Sequence, residues 1–171
     1  LGTAALSAYP EIMLSGEIPE IHANQGNRSF NGDEKPLKIA VIQQYGNPGE
    51  VDINRQKAID FAEKALALNA DVILFHEELL IGYHKDLHKL AENVNGATTQ
   101  AFRKLLSGTE SIIIYGLTEN DDSDYYISAP VVSGDGVIAN YRKTHLWWDA
   151  DGLRNEPAFY KPGNKLVTFK L

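Results

Sequence analysis

The sequence predicts an α/β protein with a mixed β-sheet. Short apolar runs typical of buried strands alternate with helical periodicity, and the order strand, helix, strand predicts a βαβ unit with parallel strands. Two further strands between residues 124 and 148, joined by a tight turn, add an antiparallel hairpin. The sheet is therefore expected to be parallel in its first part and antiparallel in its last.

The first elements begin at residue 37. The run LKIAVIQQ (37–44) predicts a strand buried on both faces, and the turn signal GNPG at 46–49 follows it. Apolar residues then recur at helical spacing through 53–70, from Ile53 to Leu68, and Asp52 is placed to cap the helix. ADVILF (70–75) predicts a second buried strand.

The remaining elements are shorter. Helical stretches at 84–93 and 98–108 precede ESIIIYGLTE (110–119), which predicts a third strand. YYISAPVVS (125–133) and GVIANYRKTHLW (136–147) predict two more strands, and Gly134-Asp135-Gly136 forms the turn between them. The glycine-rich SGDG is interpreted as this hairpin turn and not as a phosphate loop, because no helix with Lys-Ser or Lys-Thr follows.

Composition narrows the classes of function. The chain has 171 residues, 43% of them hydrophobic, which suits one globular domain with a sizeable core. The formal charge of −7 offers no broad cationic surface for a phosphate backbone, so nucleic acid is not expected as a partner. The sequence has no cysteine, which excludes disulfides and thiolate metal sites within it. No segment resembles a membrane span.

The domain is predicted at 37–171, after an N-terminal arm at 1–36. The arm is rich in Pro, Gly, Asn, Glu and Ser and shows no sustained periodicity, which is typical of a linker. Its first residues, LGTAALSA (1–8), are either the remnant of a secretory signal peptide or part of the arm itself. The compartment, cytoplasmic or exported, stays open.

Two ionisable residues lie at predicted strand ends, where open α/β sheets place their ligands. Glu77 follows the apolar VILF closely and is expected to be partly desolvated, as suits a general base. Lys143 lies in the segment YRKTHLWW (141–148). Each also has a plainer interpretation, since Glu77 could be a solvated loop charge or a helix cap and Lys143 an ordinary surface charge. A lysine brought near Glu77 would form an ion pair with it.

The sequence around these two residues resembles that of the nitrilase superfamily, the carbon–nitrogen hydrolases. The resemblance runs from about Lys38 to the chain end. The family has a glutamate after a strand, usually following Phe-Pro, with a Gly-Tyr pair beyond it. The matching positions here are Phe75, His76, Glu77, Gly82 and Tyr83.

Two further motifs follow in the family's order. Its lysine lies in a Tyr-Arg-Lys-x-His-Leu segment, which corresponds to YRKTHL at 141–146. Its second glutamate precedes a Pro-Gly pair, as Glu156 precedes Pro162-Gly163. Three motifs in this order, with the expected elements between them, make the resemblance specific.

The resemblance implies a four-layer α-β-β-α sandwich, of which this chain would supply the first half. It also implies hydrolysis of a non-peptide C–N bond in an amide, carbamoyl amine or nitrile, by a Glu-Lys-Cys mechanism. Glu77 would be the base, Lys143 the cation that stabilises the oxyanion, and Glu156 a second carboxylate that positions the lysine or the substrate. Tyr83 and Trp147 would contact substrate, although tryptophans at a strand end usually pack in the core, and at least one of Trp147 and Trp148 is expected to do so.

Three departures from the family pattern qualify this expectation. His76 replaces the usual proline, and Ile127 stands where an asparagine is common. The family's cysteine lies on a strand beyond the Pro-Gly pair, and this sequence contains none. The chain is therefore expected to be truncated and inactive alone, with apolar strand faces meant for the other half of the sandwich.

Other classes of function remain as alternatives. The chain could be a non-catalytic binding or regulatory half-domain that retains Glu77 and Lys143. A metal-dependent phosphodiesterase of similar architecture would need a cluster of acids and histidines that the sequence does not show. His84 and His88 are one helical turn apart, but they favour a solvated helix face over zinc. No metal and no cofactor are predicted, and the resemblance implies a small-molecule substrate, no membrane partner and a homo-oligomer.

Overall fold

The computed structural model describes residues 36–82, 84–149 and 155–171, which belong to one compact unit, Pro36–Leu171. Residues 1–35, which include the segment LGTAALSA (1–8) that is either a signal-peptide remnant or part of the arm, lie outside the described part of the chain. The strands are β1 Ile39–Ile42, β2 Val72–Phe75, β3 Ile112–Ile114, β4 Leu117–Asp121, β5 Asp124–Ser133 and β6 Gly136–Arg142. The α-helices are α1 Val51–Ala67, α2 Leu87–Leu90 and α3 Ala97–Leu105, and a 3-10 helix covers Glu156–Ala158.

The strands form one mixed sheet, as predicted. β1, β2 and β3 are parallel neighbours, and β5 runs antiparallel to β3, β4 and β6. β5 is long enough to pair with β3 through its C-terminal half and with β4 through its N-terminal half. The parallel strands bring the C-terminal end of β2 to the edge of the sheet where β6 also ends.

The segment ESIIIYGLTE is two strands and not the single strand predicted. The break falls at Tyr115 and Gly116. At Gly116 the backbone forms hydrogen bonds with the loop after β2 and not with a neighbouring strand. Gly116 N donates to His76 O at 3.2 Å, and Leu79 N donates to Gly116 O at 3.2 Å. The interruption therefore fastens the loop that contains Glu77.

The main core lies between α1, α3 and one face of the sheet. Ile73, Phe75, Ile113 and Val132 on this face are buried, together with Phe102 of α3. The helix face that meets them is built from small residues, Ala58, Ala62 and Ala65, which let the helix approach the sheet closely.

Two details of α1 differ from the prediction. Ile53 and Leu68, counted among the apolar positions, are exposed. Asp52 does not cap the helix, because α1 begins at Val51 and the Asp52 carboxylate accepts a hydrogen bond from Arg55 at 2.6 Å. The acidic residue in the first turn still interacts favourably with the helix dipole.

The opposite face of the sheet has a second apolar row. Val41, Leu74, Ile114, Val131 and Ala139 are aligned across the strands by register. Val131 is buried, whereas Val41 and its strand neighbour Ile39 are exposed, so the prediction that β1 is buried on both faces is wrong. Among the described residues, no helix is long and apolar enough to cross a membrane.

Candidate active site

The structure brings the three predicted charged residues together at one edge of the sheet. Glu77 lies two residues beyond the end of β2, and Lys143 immediately follows β6, which is shorter than the strand predicted at 136–147. Lys143 Nζ lies 3.3 Å from Glu77 Oε1 and 2.9 Å from Glu156 Oε1. An ammonium group thus sits between two carboxylates from segments far apart in sequence.

The electrostatic environment keeps Lys143 protonated. Burial alone would lower the pKa of Lys143, but the hydrogen bond that Lys143 donates to Glu156 and the charges of Glu77 and Glu156 outweigh it and raise that pKa above its ordinary value. The Glu156 side chain is 13% exposed and the Glu77 side chain 42% exposed. Glu156 is therefore the more shielded partner, and Glu77 is less desolvated than the sequence predicts.

Backbone hydrogen bonds fix Lys143 and Glu156 relative to each other. Lys143 N donates to Ile127 O at 2.8 Å, and its carbonyl accepts from Gly163 N at 2.8 Å. Glu156 N donates to Trp147 O at 3.0 Å, and the Trp147 amide donates to the Glu156 carboxylate. Ile127 contributes through its carbonyl, so the family's asparagine side chain is not needed for this contact.

Glycines allow the close approach of the segments that form the site. A Cβ on Gly116 would lie 2.5 Å from Glu77 Cα, and a Cβ on Gly163 would lie 2.1 Å from Arg142 O. Both contacts are with backbone, so neither could be relieved by rotating a side chain. His76, which replaces the family's proline, places its ring Nδ1 2.7 Å from Glu77 O.

An ion pair between the half-buried Arg142 and the buried Glu119 supports the strand that leads to Lys143. Arg142 donates to Glu119 through Nε at 3.0 Å and through a terminal nitrogen at 2.6 Å. Burial opposes the charge on Glu119, but the hydrogen bonds from Arg142, Ser128 and Asn140 prevail and hold the pKa of Glu119 below its ordinary value. Arg142 also lies over the Tyr126 ring, 3.8 Å from its centroid.

Sequence reasoning missed Glu78, a fully buried carboxyl directly beside Glu77. The residue is 1% exposed, and its carboxyl accepts hydrogen bonds from the hydroxyls of Thr118 and Tyr160. Burial raises the pKa of Glu78 to about 7. The available signal was a second glutamate directly before the apolar residues Leu79, Leu80 and Ile81, where a solvated charge would be out of place.

The two predicted substrate contacts have different outcomes. Tyr83 lies outside the described residues. Trp147 is exposed beside Glu156, and Trp148 is exposed as well, so the alternative in which at least one tryptophan packs in the core is wrong for these residues. A role for Trp147 in substrate binding stays a prediction.

The two histidines considered for zinc have separate partners. His84 Nδ1 lies 3.9 Å from Asp86 Oδ2, and the His88 ring packs edge-on against Tyr125 with centroids 4.2 Å apart. Within the ranges that the structure describes, no group of three His, Cys, Asp or Glu residues could hold a metal ion.

The structure is that of an α/β protein of the nitrilase fold. Helices cover one face of a mixed sheet, and Lys143, Glu77 and Glu156 cluster at the edge of that sheet. Residues 38–171 match the family model of the carbon–nitrogen hydrolases, and the chain belongs to that family.

Known relatives extend well beyond the matched region. The chain is 28% identical over 137 residues to a glutamine-dependent NAD(+) synthetase of Acinetobacter baylyi, covering 80% of this chain and 25% of that protein. It is 27% identical over 134 residues to an (R)-stereoselective amidase of a Pseudomonas species, covering 77% of this chain and 46% of that protein. The chain thus spans half the length of these relatives or less.

A solved structure shares the fold. A CN-hydrolase superfamily protein from Xanthomonas campestris matches with a TM-score of 0.68 at 20% identity, covering 78% of this chain and 49% of that one. The predicted nitrilase-like fold is therefore confirmed for the part of the chain that the structure describes.

Proposed function

We propose that Glu77, Lys143 and Glu156 are the charged residues of a hydrolase that cleaves a non-peptide C–N bond, with a thiol supplied from outside these 171 residues. The observation that carries the proposal is the position of Lys143 Nζ, within 3.3 Å of one carboxylate and 2.9 Å of another. An ion pair held this way at a strand end is a preorganised source of positive charge.

The chemistry assigns a distinct task to each residue. A thiol gives its proton to Glu77, and the resulting thiolate attacks the carbonyl carbon of an amide. The carbonyl oxygen becomes an oxyanion, which Lys143 stabilises by hydrogen bonding. Glu77 then gives the proton to the departing amine or ammonia, leaving a thioester. Water later attacks the thioester carbon and gives a proton to Glu77, the C–S bond breaks to release the carboxylic acid, and Glu77 returns the proton to the departing thiolate.

Glu156 has a different role because it is more buried and is fixed by the backbone. Its carboxylate is bound by the Trp147 amide and holds Lys143 Nζ at 2.9 Å. This leaves Glu77, the more exposed partner at 3.3 Å, available for proton transfer. Glu156 therefore keeps the lysine oriented while the bonding of Glu77 changes.

An amide is the substrate class we favour, ahead of carbamoyl amines and nitriles. Relatives of the chain are named as an amidase and as glutamine-dependent synthetases, and one from Pyrococcus abyssi is named as a nitrilase. A second candidate is a non-catalytic half-domain, in which the ion pairs of Lys143 with Glu77 and Glu156 serve to stabilise the fold.

Ammonia release from a primary aliphatic amide separates the two candidates. The assay compares the 171-residue chain with a longer protein that extends past Leu171 and contains a cysteine. We expect background rates from the chain alone and turnover from the longer protein. Lys143→Met should reduce that turnover by about 100-fold or more, the usual cost of losing an oxyanion donor, whereas the exposed Lys104→Met should not.

Two results would contradict the proposal. Ammonia release by the chain alone, well above background, would show that no thiol is needed. A longer protein that binds amides but leaves them intact, with Lys143→Met equal to the parent, would favour the binding half-domain.

A further inference from the structure

Glu78 is a buried carboxyl that the proposed reaction does not use. Glu77 and Glu78 are consecutive, yet the Glu77 side chain is 42% exposed and the Glu78 residue 1% exposed. The backbone achieves this reversal at Glu78 itself, whose φ of 54° lies in the left-handed region that residues other than glycine rarely adopt. Surrounding contacts must hold such a conformation. Strained backbone conformations of this kind occur most often at functional sites.

The contacts of Glu78 connect three segments of the site. Thr118 of β4 donates to one carboxylate oxygen, and the Tyr160 hydroxyl donates to the other at 3.3 Å. Tyr160 lies in the core, and its amide donates to Glu156 O at 2.9 Å. A short path of hydrogen bonds therefore runs from the loop that carries Glu77, through Glu78 and Tyr160, to the turn that carries Glu156.

We propose that Glu78 is a positioning residue, which holds the Glu77 loop and the Glu156 turn at the spacing that lets both carboxylates reach Lys143. This inference rests on the proposed function for its catalytic meaning, but its geometry can be tested without turnover. Because Glu77 and Glu156 sit on separate segments, loss of the link would let the two segments move apart. Lys143 would then lose the influence of one or both carboxylates.

Burial and charge agree with this role. The carboxylates of Glu77 and Glu156 both repel the charged form of Glu78, although burial is the main cause of its raised pKa. A residue chosen only to fill the core would be apolar, since a buried carboxyl needs partners to offset its desolvation. The two hydroxyl donors supply those partners and fix the direction of the side chain.

The test compares two uncharged replacements in the 171-residue chain. Glu78→Gln can keep a hydrogen bond to both hydroxyls, accepting from one through its oxygen and donating to the other through its amide nitrogen, whereas Glu78→Leu can make neither; the two variants have the same charge. The readout is the pKa of Lys143, followed by the ¹³C shift of its ε-carbon in an NMR titration. We expect the Lys143 pKa to stay raised in Glu78→Gln and to fall towards its ordinary value in Glu78→Leu.

A milder variant keeps the test decisive if Glu78→Leu does not fold. Tyr160→Phe removes one hydroxyl from the path, and Tyr45→Phe, at an exposed tyrosine, is its matched control. Tyr160→Phe should lower the pKa of Lys143 relative to Tyr45→Phe. Equal pKa values for Lys143 in Glu78→Gln and Glu78→Leu, or in the two tyrosine variants, would overturn the proposal. Failure of amide hydrolysis would leave these titrations unaffected, so the two proposals fail separately.

Discussion

Glu78 and Glu119 are both buried beside the site, yet they differ in ionisation. Glu119 accepts hydrogen bonds from a guanidinium, and its pKa is lowered although burial opposes its charge. Glu78 instead accepts hydrogen bonds from the hydroxyls of Thr118 and Tyr160, and burial raises its pKa to about 7. The comparison teaches that the charge of the partner, more than the depth of burial, sets the state of a carboxyl here.

The two glutamates nevertheless share one supporting strand. Thr118, which binds Glu78, and Glu119 are consecutive residues of β4. Their side chains point to opposite sides of that strand, as adjacent strand residues do. β4 thus supports Glu77 through Glu78 on one side and Lys143 through Arg142 on the other.

The largest expected effect on stability comes from removing the ion pair between Arg142 and Glu119. Arg142→Met leaves the Glu119 carboxylate, 2% exposed, without its countercharge. Removing one partner of a buried pair typically costs about 3 kcal/mol of unfolding free energy. Urea denaturation at pH 7 measures it.

The control for this prediction is Arg103→Met. Arg103 is exposed and donates to Gly134 O at 3.3 Å, so its loss should cost less than about 1 kcal/mol. Equal stability losses for the two variants would show that the Glu119 pair is not the dominant support of β6.

A smaller loss is expected where β3 and β4 separate. Gly116→Ala would place its Cβ 2.5 Å from Glu77 Cα, which requires a backbone shift that typically costs about 1–3 kcal/mol. Thermal unfolding measures the loss, and a change in the Lys143 ε-carbon shift would report displacement of Glu77. Gly46→Ala, whose Cβ would meet Asn54 at an ordinary 3.8 Å, is the control. A Gly116→Ala protein as stable as this control would contradict the packing described.

The raised pKa of Glu78 predicts that the free energy of unfolding depends on pH. Because the pKa of Glu78 is raised in the folded state, its contribution to stability is complete below pH about 4.5 and is lost as the pH rises to about 7. The loss amounts to roughly 3 kcal/mol at most. Glu78→Gln cannot titrate, so its unfolding free energy relative to the parent should improve over this range.

Urea denaturation of both proteins at several pH values checks this, since other titrating groups cancel in the difference. A difference between parent and Glu78→Gln that stays constant from pH 4 to pH 8 would show that Glu78 does not titrate there.

The smallest effect on stability is expected at the exposed rim. Trp147→Ala should change the unfolding free energy by less than about 0.5 kcal/mol, because the side chain is exposed and the contact with Glu156 is made by the backbone amide. If Trp147 binds substrate, KM for the amide should rise in the thiol-containing protein, with Trp148→Ala as the matched control. Equal KM values for these two variants would remove Trp147 from the binding site.

The sequence predicted the order of elements and the mixed sheet because apolar periodicity is local. It predicted Glu77, Lys143 and Glu156 because each lies in a motif of the family. It did not predict the separation of β3 from β4, since that break depends on a contact between Gly116 and the loop after β2, which is distant in sequence.

The role of Glu78 also escaped prediction for a physical reason. A glutamate is normally solvated, and its burial here follows from a left-handed backbone and from hydroxyls contributed by Thr118 and Tyr160. Exposure of Ile39 and Val41 was missed because a continuous apolar run does not reveal whether a second layer covers it.

The most direct test of the site is an NMR titration of Lys143 in the parent chain and in Glu77→Gln and Glu156→Gln. If one ammonium is held between two carboxylates, the pKa of Lys143 should exceed its ordinary value in the parent and fall in each variant, more in Glu156→Gln because that contact is shorter and more shielded. A Lys143 that titrates at its ordinary pKa in the parent and responds to neither substitution would show that the three groups do not converge.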